Sequence, residues 1–215
     1  MIGVTSSVVL IPGTGSWAPG KQDWHTDGSP FVNFLRAQSV EPLFGRNQRP
    51  FTWSTDVGGI GFGDGDHRVW EAAGLNLLDY LVPPLCPESR MPPEQTQLIA
   101  HSHGLQVALY ACAAGLKVQT LISLGSPIRE DMADTALAAR ANIRRWLHVH
   151  SDSSDRWQWF GTLFDGKFGI VRKHPLADLN IGIPKVGHST LLREPMEFRH
   201  WVQRGLIAEL RGEAR

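Results

Sequence analysis

Leu98-Ile99-Ala100-His101-Ser102-His103-Gly104 is a stretch in which a serine separates an apolar run from an Ala-rich segment. The apolar run predicts a buried strand over 97–100, and the Ala-rich segment predicts a helix over 105–116. The pattern approximates the G-x-S-x-G nucleophile elbow, whose strained strand-to-helix turn carries the serine hydroxyl beyond the sheet. Ser102 is therefore a candidate nucleophile, and an ordinary strand–helix turn is the alternative.

Short apolar runs recur along the chain and alternate with helix-like stretches. Runs of four to eight apolar residues bounded by turn residues are typical of buried strands. Strands that alternate with helices indicate βαβ units, so we expect an α/β fold with a mostly parallel central sheet flanked by helices. The predicted strands are 7–11, 49–54, 97–100, 119–124, 145–150 and 178–183, and the predicted helices are 69–81, 105–116, 130–145 and 197–210.

The composition fits one domain, or at most two small ones, since 42% of the 215 residues are hydrophobic. No linker divides the chain, so we expect a single compact domain over 1–215. Lys and Arg total 21 and Asp and Glu total 21, which argues against nucleic acid or an anionic membrane surface as the main partner. No apolar run approaches the roughly 20 residues of a spanning helix, so no integral membrane association is expected. The first ten residues lack a basic n-region, and we expect a cytoplasmic protein or one otherwise without a cleavable signal peptide. Cys86 and Cys112 are too few for a disulfide framework.

A glycine-rich turn, Ile11-Pro12-Gly13-Thr14-Gly15-Ser16, follows the first predicted strand. A serine hydrolase needs a second backbone N–H to stabilise the oxyanion, and a glycine-rich turn frees such groups. The alternative is a dinucleotide-binding loop. That interpretation is disfavoured because Ala18 stands where a third glycine is expected and Pro19 interrupts the following helix.

A candidate base and two candidate acids follow the last predicted strands. His188, in Val186-Gly187-His188-Ser189, comes directly after the final strand. Asp152 and Asp155 follow the strand that ends at 150. The order Ser, Asp, His is the order of the triad in hydrolases that carry the elbow. Asp155 lies further out on its loop and is favoured, while Asp152 could instead cap the turn.

Several stretches together resemble the lipase and carboxylesterase branch of the α/β-hydrolase family, from about residue 7 to 192. The matching stretches are Ile11-Pro12-Gly13-Thr14-Gly15, Phe51-Thr52-Trp53-Ser54, Ala100-His101-Ser102-His103-Gly104, Leu124-Gly125-Ser126-Pro127 and Val186-Gly187-His188-Ser189. The chain departs from the family where Pro12-Gly13 replaces a common His-Gly and where Ala100 replaces the first elbow glycine.

The resemblance implies a serine ester hydrolase that uses no cofactor and acts on a small-molecule or lipid-like acyl ester. Ser102 would be the nucleophile, His188 the base and Asp155 the acid. The backbone N–H groups of Thr14 and His103 would form the oxyanion hole. Another acyl bond (thioester, amide or cell-envelope ester) and a non-catalytic binding module on this scaffold are the alternatives. The oligomeric state is left open.

The histidines and tryptophans allow further interpretations. His148-Val149-His150-Ser151-Asp152 imitates the H-x-H-x-D string of binuclear metallohydrolases, but no second histidine continues it, and no metal is expected. Among the eight tryptophans we expect Trp70, Trp146 and Trp201 in the core. We expect Trp17, Trp157 and Trp159 at a substrate-binding rim. Only one helix fits between 127 and 145, so no large cap domain is expected.

Overall fold

The computed structural model describes residues 6–14, 23–45, 49–53, 65–81, 96–151 and 172–213. In these residues six parallel strands form one sheet in the order β2-β1-β3-β4-β5-β6. The strands are β1 (Ser6–Ile11), β2 (Val40–Pro42), β3 (Gln97–His101), β4 (Val118–Leu124), β5 (Ile143–Ser151) and β6 (Leu179–Ile183). The predicted parallel α/β sheet is confirmed.

Helices connect and flank these strands. The helices are α1 (Pro30–Ala37), α2 (Gly65–Leu81), α3 (Gly104–Ala113), α4 (Ala133–Arg140), α5 (Thr190–Arg193), α6 (Arg199–Gln203) and α7 (Leu206–Leu210). Short 3₁₀ turns at Glu130–Met132 and Pro195–Phe198 precede α4 and α6. None of the helices within the described ranges is long and apolar enough to cross a membrane.

Alternate residues of the buried strands enter two cores, one on each face of the sheet, because successive side chains of a strand point to opposite faces. On β1, Val8 and Leu10 join a cluster with Phe31 of α1 and Trp201 of α6. Val9 and Ile11 join the other cluster, which contains residues of α2, α3 and α4. Both faces of the sheet are therefore covered, as parallel sheets require.

Three of the tryptophans were expected in the core, and this prediction is confirmed. Trp146 and Trp201 are fully buried, and Trp70 is 3% exposed. Two of these indoles donate hydrogen bonds to neighbours: the Trp146 indole N–H donates to Ser123 Oγ at 3.0 Å, and the Trp201 indole N–H donates to the Leu191 carbonyl at 2.9 Å.

One predicted strand is wrong and one was missed. The described part of 49–54, residues 49–53, contains no strand. Instead the Tyr80 hydroxyl donates to the Arg49 carbonyl, and the side-chain indole N–H of Trp53 donates to the Pro12 carbonyl. The edge strand of the sheet is instead β2. It has only three residues, too few to show an alternation of apolar and polar side chains in the sequence. Phe51 and Trp53, the apolar residues of 49–53, pack beside the sheet and do not pair within it.

Two predicted helices are divided. The stretch 130–145 contains a 3₁₀ turn, α4 and the start of β5, because the chain turns where the Asn142 N–H donates to the Ala139 carbonyl. The stretch 197–210 is interrupted at Gly205, whose φ of 73° cannot continue a right-handed helix. Helix α1 was not predicted, although Ser29 caps it by accepting a hydrogen bond from the Val32 N–H.

The carboxyl ends of the strands bring the candidate site together. Ile11 of β1 pairs with Ala100 of β3, and His101 pairs with Leu124 of β4. The segments that follow β1, β3 and β4 therefore leave the sheet at one edge, where open α/β sheets bind their ligands. Between Leu124 and α4 the fully described chain holds only a loop and one 3₁₀ turn, so no cap is inserted there.

Candidate active site

Ser102 occupies the turn between β3 and α3 in a left-handed backbone conformation, with φ 53°. Non-glycine residues rarely adopt this conformation, and it costs of order 1–3 kcal/mol unless the surroundings impose it. Two hydrogen bonds impose it here: the Ser102 N–H donates to the Leu124 carbonyl at 3.0 Å, and the Leu105 N–H donates to the Ser102 carbonyl at 3.2 Å. The serine is thus held in a fixed, strained turn at the N-terminus of a helix.

Two glycines allow the backbones around Ser102 to approach one another. A Cβ on Gly104 would lie 2.6 Å from the Ile11 carbonyl oxygen, so a side chain there would separate α3 from β1. A Cβ on Gly13 would lie 2.6 Å from the Ser102 Cβ. The loop after β1 therefore passes directly against the serine. Ala100, at the first elbow position, is fully buried between the same elements.

His188 reaches the same edge of the sheet from the loop that follows β6. It lies against Gly125, where an added Cβ would be 3.1 Å from the His188 carbonyl oxygen and 3.3 Å from its Nδ1. Gly125 has φ 55° and directly follows Leu124, the residue that accepts the Ser102 N–H bond. The end of β4 therefore contacts both Ser102 and His188.

His101 connects the serine turn to the His188 loop. Its Nε2 lies 3.1 Å from the His188 carbonyl oxygen and 3.3 Å from Ser189 Oγ. The two imidazole rings are 4.7 Å apart between centroids. Complete burial, together with the nearby His188, lowers the pKa of His101 well below its usual range. The ring is therefore neutral at pH 7 and can donate from Nε2 to the carbonyl.

Thr14 and His103 form a second connection on the other side of the serine. The Thr14 hydroxyl and His103 Nδ1 are 2.9 Å apart and share a hydrogen bond. The His103 ring stacks on Trp70 of α2, with centroids 5.3 Å apart and planes 16° apart. Burial and the charge of Arg129 lower the pKa of His103 to about 3, so this imidazole is also neutral at pH 7. The loop after β1 is thereby tied to the residue that follows Ser102.

Behind this contact, charged groups join α2 to the segment after β4. The Arg129 guanidinium lies 4.9 Å from the Trp70 ring centroid and pairs with Asp131. His67 Nε2 lies 2.9 Å from the Asp131 carboxylate. The Arg129 hydrogen bond, together with the one from His67, lowers the pKa of Asp131 to about 2. These groups fix the indole on which His103 rests.

Several predicted site residues lie outside the described part of the chain. They are the candidate acids Asp152 and Asp155 and the predicted rim residues Trp17, Trp157 and Trp159. Strand β5, from which both acids follow, ends at Ser151 beside Ile183 of β6. Of the predicted site residues, the described ranges thus bring together Thr14, Ser102, His103 and His188.

Residues 148–151 of the H-x-H-x-D string form the end of β5. Across the described ranges, no group of three or more His, Cys, Asp or Glu side chains is arranged to hold a metal ion. His148 is instead buried in the sheet, where its Nδ1 lies 2.9 Å from Ser123 Oγ. Its ring stacks with His150 at 6.1 Å between centroids. The described partners of His148 are those of a buried structural histidine.

The sequence did not identify the supporting residues Trp70, His101 and Arg129 as part of the site. Trp70 was assigned to the core only, and Arg129 carries no motif. His101 stands beside the serine in the motif, which is the one signal that could have pointed to it. The contacts of all three join segments far apart in the chain, and no local pattern encodes them.

The solved structures to which this chain is similar include several hydrolases. The chain is similar to a monoglyceride lipase from Saccharomyces cerevisiae (12% identity, TM-score 0.53, 100% of this chain and 89% of that one). It is also similar to a carboxylesterase of the thaumarchaeon Nitrososphaera gargenis (13% identity, TM-score 0.53, 99% of this chain and 93% of that one). A third similar structure is a dienelactone hydrolase-like promiscuous phosphotriesterase from metagenomic libraries (15% identity, TM-score 0.52, 95% of this chain and 86% of that one). No protein-family model and no curated protein sequence matches the chain. These similarities establish the α/β-hydrolase fold.

Proposed function

We propose that the protein is a serine hydrolase of carboxylic esters. In this proposal Ser102 is the nucleophile, His188 the general base and Asp155 the acid that orients it. The backbone N–H groups of Thr14 and His103 form the oxyanion hole, and the whole chain, 1–215, acts as one α/β-hydrolase domain without a cofactor.

The observation that carries the proposal is the left-handed conformation of Ser102 next to the Gly13 loop. A strained serine at a strand–helix turn is the arrangement that presents a nucleophile. The position of His188 against Gly125 supports the assignment of the base. The solved structures named above, which include lipases and esterases, support the ester as the substrate.

The reaction would proceed by two acyl transfers. The Ser102 oxygen attacks the ester carbonyl carbon while His188 accepts the hydroxyl proton, and a tetrahedral oxyanion forms. Two backbone N–H groups and the N-terminal end of α3 stabilise the negative charge. The alcohol leaves with the proton held by His188. Water, deprotonated by His188, then attacks the acyl-enzyme, and Ser102 is released with the carboxylic acid.

Turnover of p-nitrophenyl acetate and butyrate tests the proposal, with Ser102→Ala as the inactive variant. We expect hydrolysis by the wild type, at least a thousandfold loss in Ser102→Ala, and covalent labelling of the wild type alone by a fluorophosphonate probe. Ser126→Ala is the matched control, because Ser126 is a buried serine in the loop after β4. Absence of both turnover and labelling would favour a binding module. Activity that a chelator removes and Ser102→Ala does not would favour a metallohydrolase.

The assignment of the acid has its own test. Asp155→Asn should reduce kcat by about 10⁴-fold, because an amide leaves the histidine in the wrong tautomer. Asp152→Asn should leave kcat within a few-fold of the wild type. The reverse result would transfer the role to Asp152.

The substrate-binding rim is tested with acyl-chain length. If Trp17, Trp157 and Trp159 contact the acyl chain, Trp157→Ala and Trp159→Ala should lower kcat/KM for p-nitrophenyl octanoate more than for the acetate. An equal loss for both esters would remove these residues from substrate recognition.

A further inference from the structure

His101 is a buried histidine at the end of β3 that the proposed reaction does not use. It pairs with Leu124 of β4 and directly precedes Ser102. Its side chain crosses to the loop after β6, where it meets the backbone of His188. One strand end therefore carries both the candidate nucleophile and a contact to the candidate base, on consecutive residues.

The ring of His101 is packed on several sides. The ring of Trp24 meets it edge to face, with centroids 6.0 Å apart and planes at 77°. On the loop after β1, a Cβ on Gly13 would lie 3.3 Å from His101 Nδ1, so the backbone there passes close to the ring. The His188 ring is 4.7 Å away between centroids. A side chain that is enclosed in this way keeps one rotamer, so its hydrogen-bonding atoms have fixed positions.

The His101 Nε2 atom is the donor in the contact with the loop. It lies 3.1 Å from the His188 carbonyl oxygen, which can only accept, and 3.3 Å from Ser189 Oγ. A proton on Nδ1 would be buried without a hydrogen-bond partner among the described residues. The geometry therefore favours a neutral ring with its proton on Nε2.

The rest of the loop is anchored independently of His101. The Gly187 N–H donates to Thr190 Oγ1 at 2.9 Å, at the start of α5. At the end of α5, Arg193 pairs with Asp23 at 2.8 Å. Removal of the His101 hydrogen bond should therefore release the carbonyl of the base while α5 stays in place.

We propose that His101 is a positioning residue, which sets the place of His188 relative to Ser102 by donating its Nε2–H to the His188 carbonyl. This inference rests on the proposed function, in which His188 accepts the Ser102 proton. Proton transfer needs the two groups within hydrogen-bond reach, and a misplacement of about 1 Å can cost about a hundredfold in rate. An imidazole fixed on a central strand, next in the chain to the nucleophile, limits such misplacement.

His101→Met and His101→Gln separate the hydrogen bond from the packing. Both new side chains are unbranched and similar in size, and only glutamine carries an N–H that can replace the one on the imidazole. His101→Met should lower kcat for p-nitrophenyl butyrate about 5- to 30-fold, because a buried carbonyl loses its donor, with KM within about twofold of the wild type. His101→Gln should keep kcat within about threefold of the wild type. A role in packing alone would give equal losses.

The same exchange at His148 is the matched control. His148 is also fully buried, but its Nδ1 lies 2.9 Å from Ser123 Oγ within the sheet. At pH 8, His148→Met and His148→Gln should have equal kcat values. An advantage of glutamine as large as at position 101 would assign the rescue to polarity in general and overturn the proposal.

Ser189→Ala tests the other atom near His101 Nε2. The variant removes the hydroxyl and keeps the His188 carbonyl, so kcat should stay within about twofold of the wild type. A loss as large as that in His101→Met would make the hydroxyl the acceptor that matters and overturn the proposal.

The tautomer of wild-type His101 gives a measurement that does not depend on the stability of a variant. Long-range ¹H–¹⁵N correlations of the imidazole, assigned by their loss in His101→Gln, should show the proton on Nε2. A proton on Nδ1, or equal kcat values in His101→Met and His101→Gln, would overturn this proposal while ester hydrolysis stands. If the wild type neither hydrolyses esters nor reacts with the fluorophosphonate probe, the proposed function fails and this proposal fails with it.

Discussion

Ser102, His101 and His103 have three separate tasks although they are consecutive. Ser102 adopts the strained left-handed turn. On one side, His101 contacts the carbonyl of His188. On the other side, His103 contacts the hydroxyl of Thr14. The side chains of the two flanking histidines thus join the serine turn to the two loops that the proposed reaction needs. Both imidazoles are neutral because burial lowers their pKa values.

Thr14 offers a prediction about the oxyanion hole. Thr14→Val removes the hydroxyl that bonds to His103 and keeps the branched shape, while Thr14→Ser keeps the hydroxyl. We expect Thr14→Val to lower kcat for p-nitrophenyl butyrate about fivefold, because one hydrogen bond of roughly 1 kcal/mol no longer fixes the loop, with KM nearly unchanged. Thr14→Ser should retain most of the activity. Equal losses in the two variants would show that the hydroxyl does not position the loop.

The segment between β4 and α4 is short, yet it packs against two other elements. Arg129 covers the Trp70 ring of α2 and pairs with Asp131, which also contacts His67. Gln106 of α3 bonds to Pro127 in the same segment. Where a cap could be inserted in this fold, the chain instead has a compact connection held by ionic and amide contacts.

Asp131 gives this connection a measurable pH dependence. Its pKa of about 2 in the folded protein lies below the unfolded value near 3.9, so its stabilising contribution is complete above about pH 4 and is lost as the pH falls towards 2. We expect Asp131→Asn to lower the free energy of unfolding by about 2 kcal/mol at pH 6, with a smaller difference from the wild type at pH 3. Urea unfolding at both pH values measures this, and exposed Asp79→Asn is the control. If the difference in free energy of unfolding between Asp131→Asn and the wild type is the same at both pH values, the loss of stability comes from packing and not from the charge of Asp131.

Across the whole chain, burial of histidine is unusually common. Of the nine histidines, those with pKa values lowered by burial include His25 (about 4), His103 (about 3), His148 (about 3) and His174 (about 4), and also His101. Each is neutral in the folded protein and would be protonated in the unfolded chain below about pH 6.5. The fold is therefore expected to be sensitive to mild acid, well above the range in which carboxylates titrate.

The sign of this effect follows from proton binding. Below about pH 6.5 the unfolded state binds more protons than the folded state, so stability is full at higher pH and falls as the pH decreases. Each such histidine contributes a slope of up to about 1.4 kcal/mol per pH unit. We expect the free energy of unfolding to decline from pH 7 to pH 5. His148→Gln removes one of the titrating groups, so the slope of this decline should fall by up to about 1.4 kcal/mol per pH unit. Urea unfolding across this range measures the slope. At pH 8 the histidine is neutral in both states, so the difference between the variant and the wild type there measures the effect of the substitution on packing. A slope that is the same in the variant and the wild type would contradict the prediction.

Much of the sheet was predictable because its strands are short stretches rich in apolar residues that end at, or directly before, a Gly, Pro or Ser. Strands β1, β3, β4, β5 and β6 were all predicted within a few residues of their ends. The three-residue edge strand was missed, since its position depends on pairing with β1 rather than on its own residues. The helices predicted at 130–145 and 197–210 were also too long. The first ends at a turn made by the Asn142–Ala139 hydrogen bond, and the second is interrupted by the positive φ of Gly205.

For the candidate site, local chemistry pointed to Ser102 and His188, since a serine among small residues and a histidine after the last strand are features of short segments. The contacts that give these residues their surroundings join segments that are distant in the chain. His101 meets His188 across 87 positions, and Thr14 meets His103 across 89. Only the parallel pairing of the strands brings such loops to one edge of the sheet.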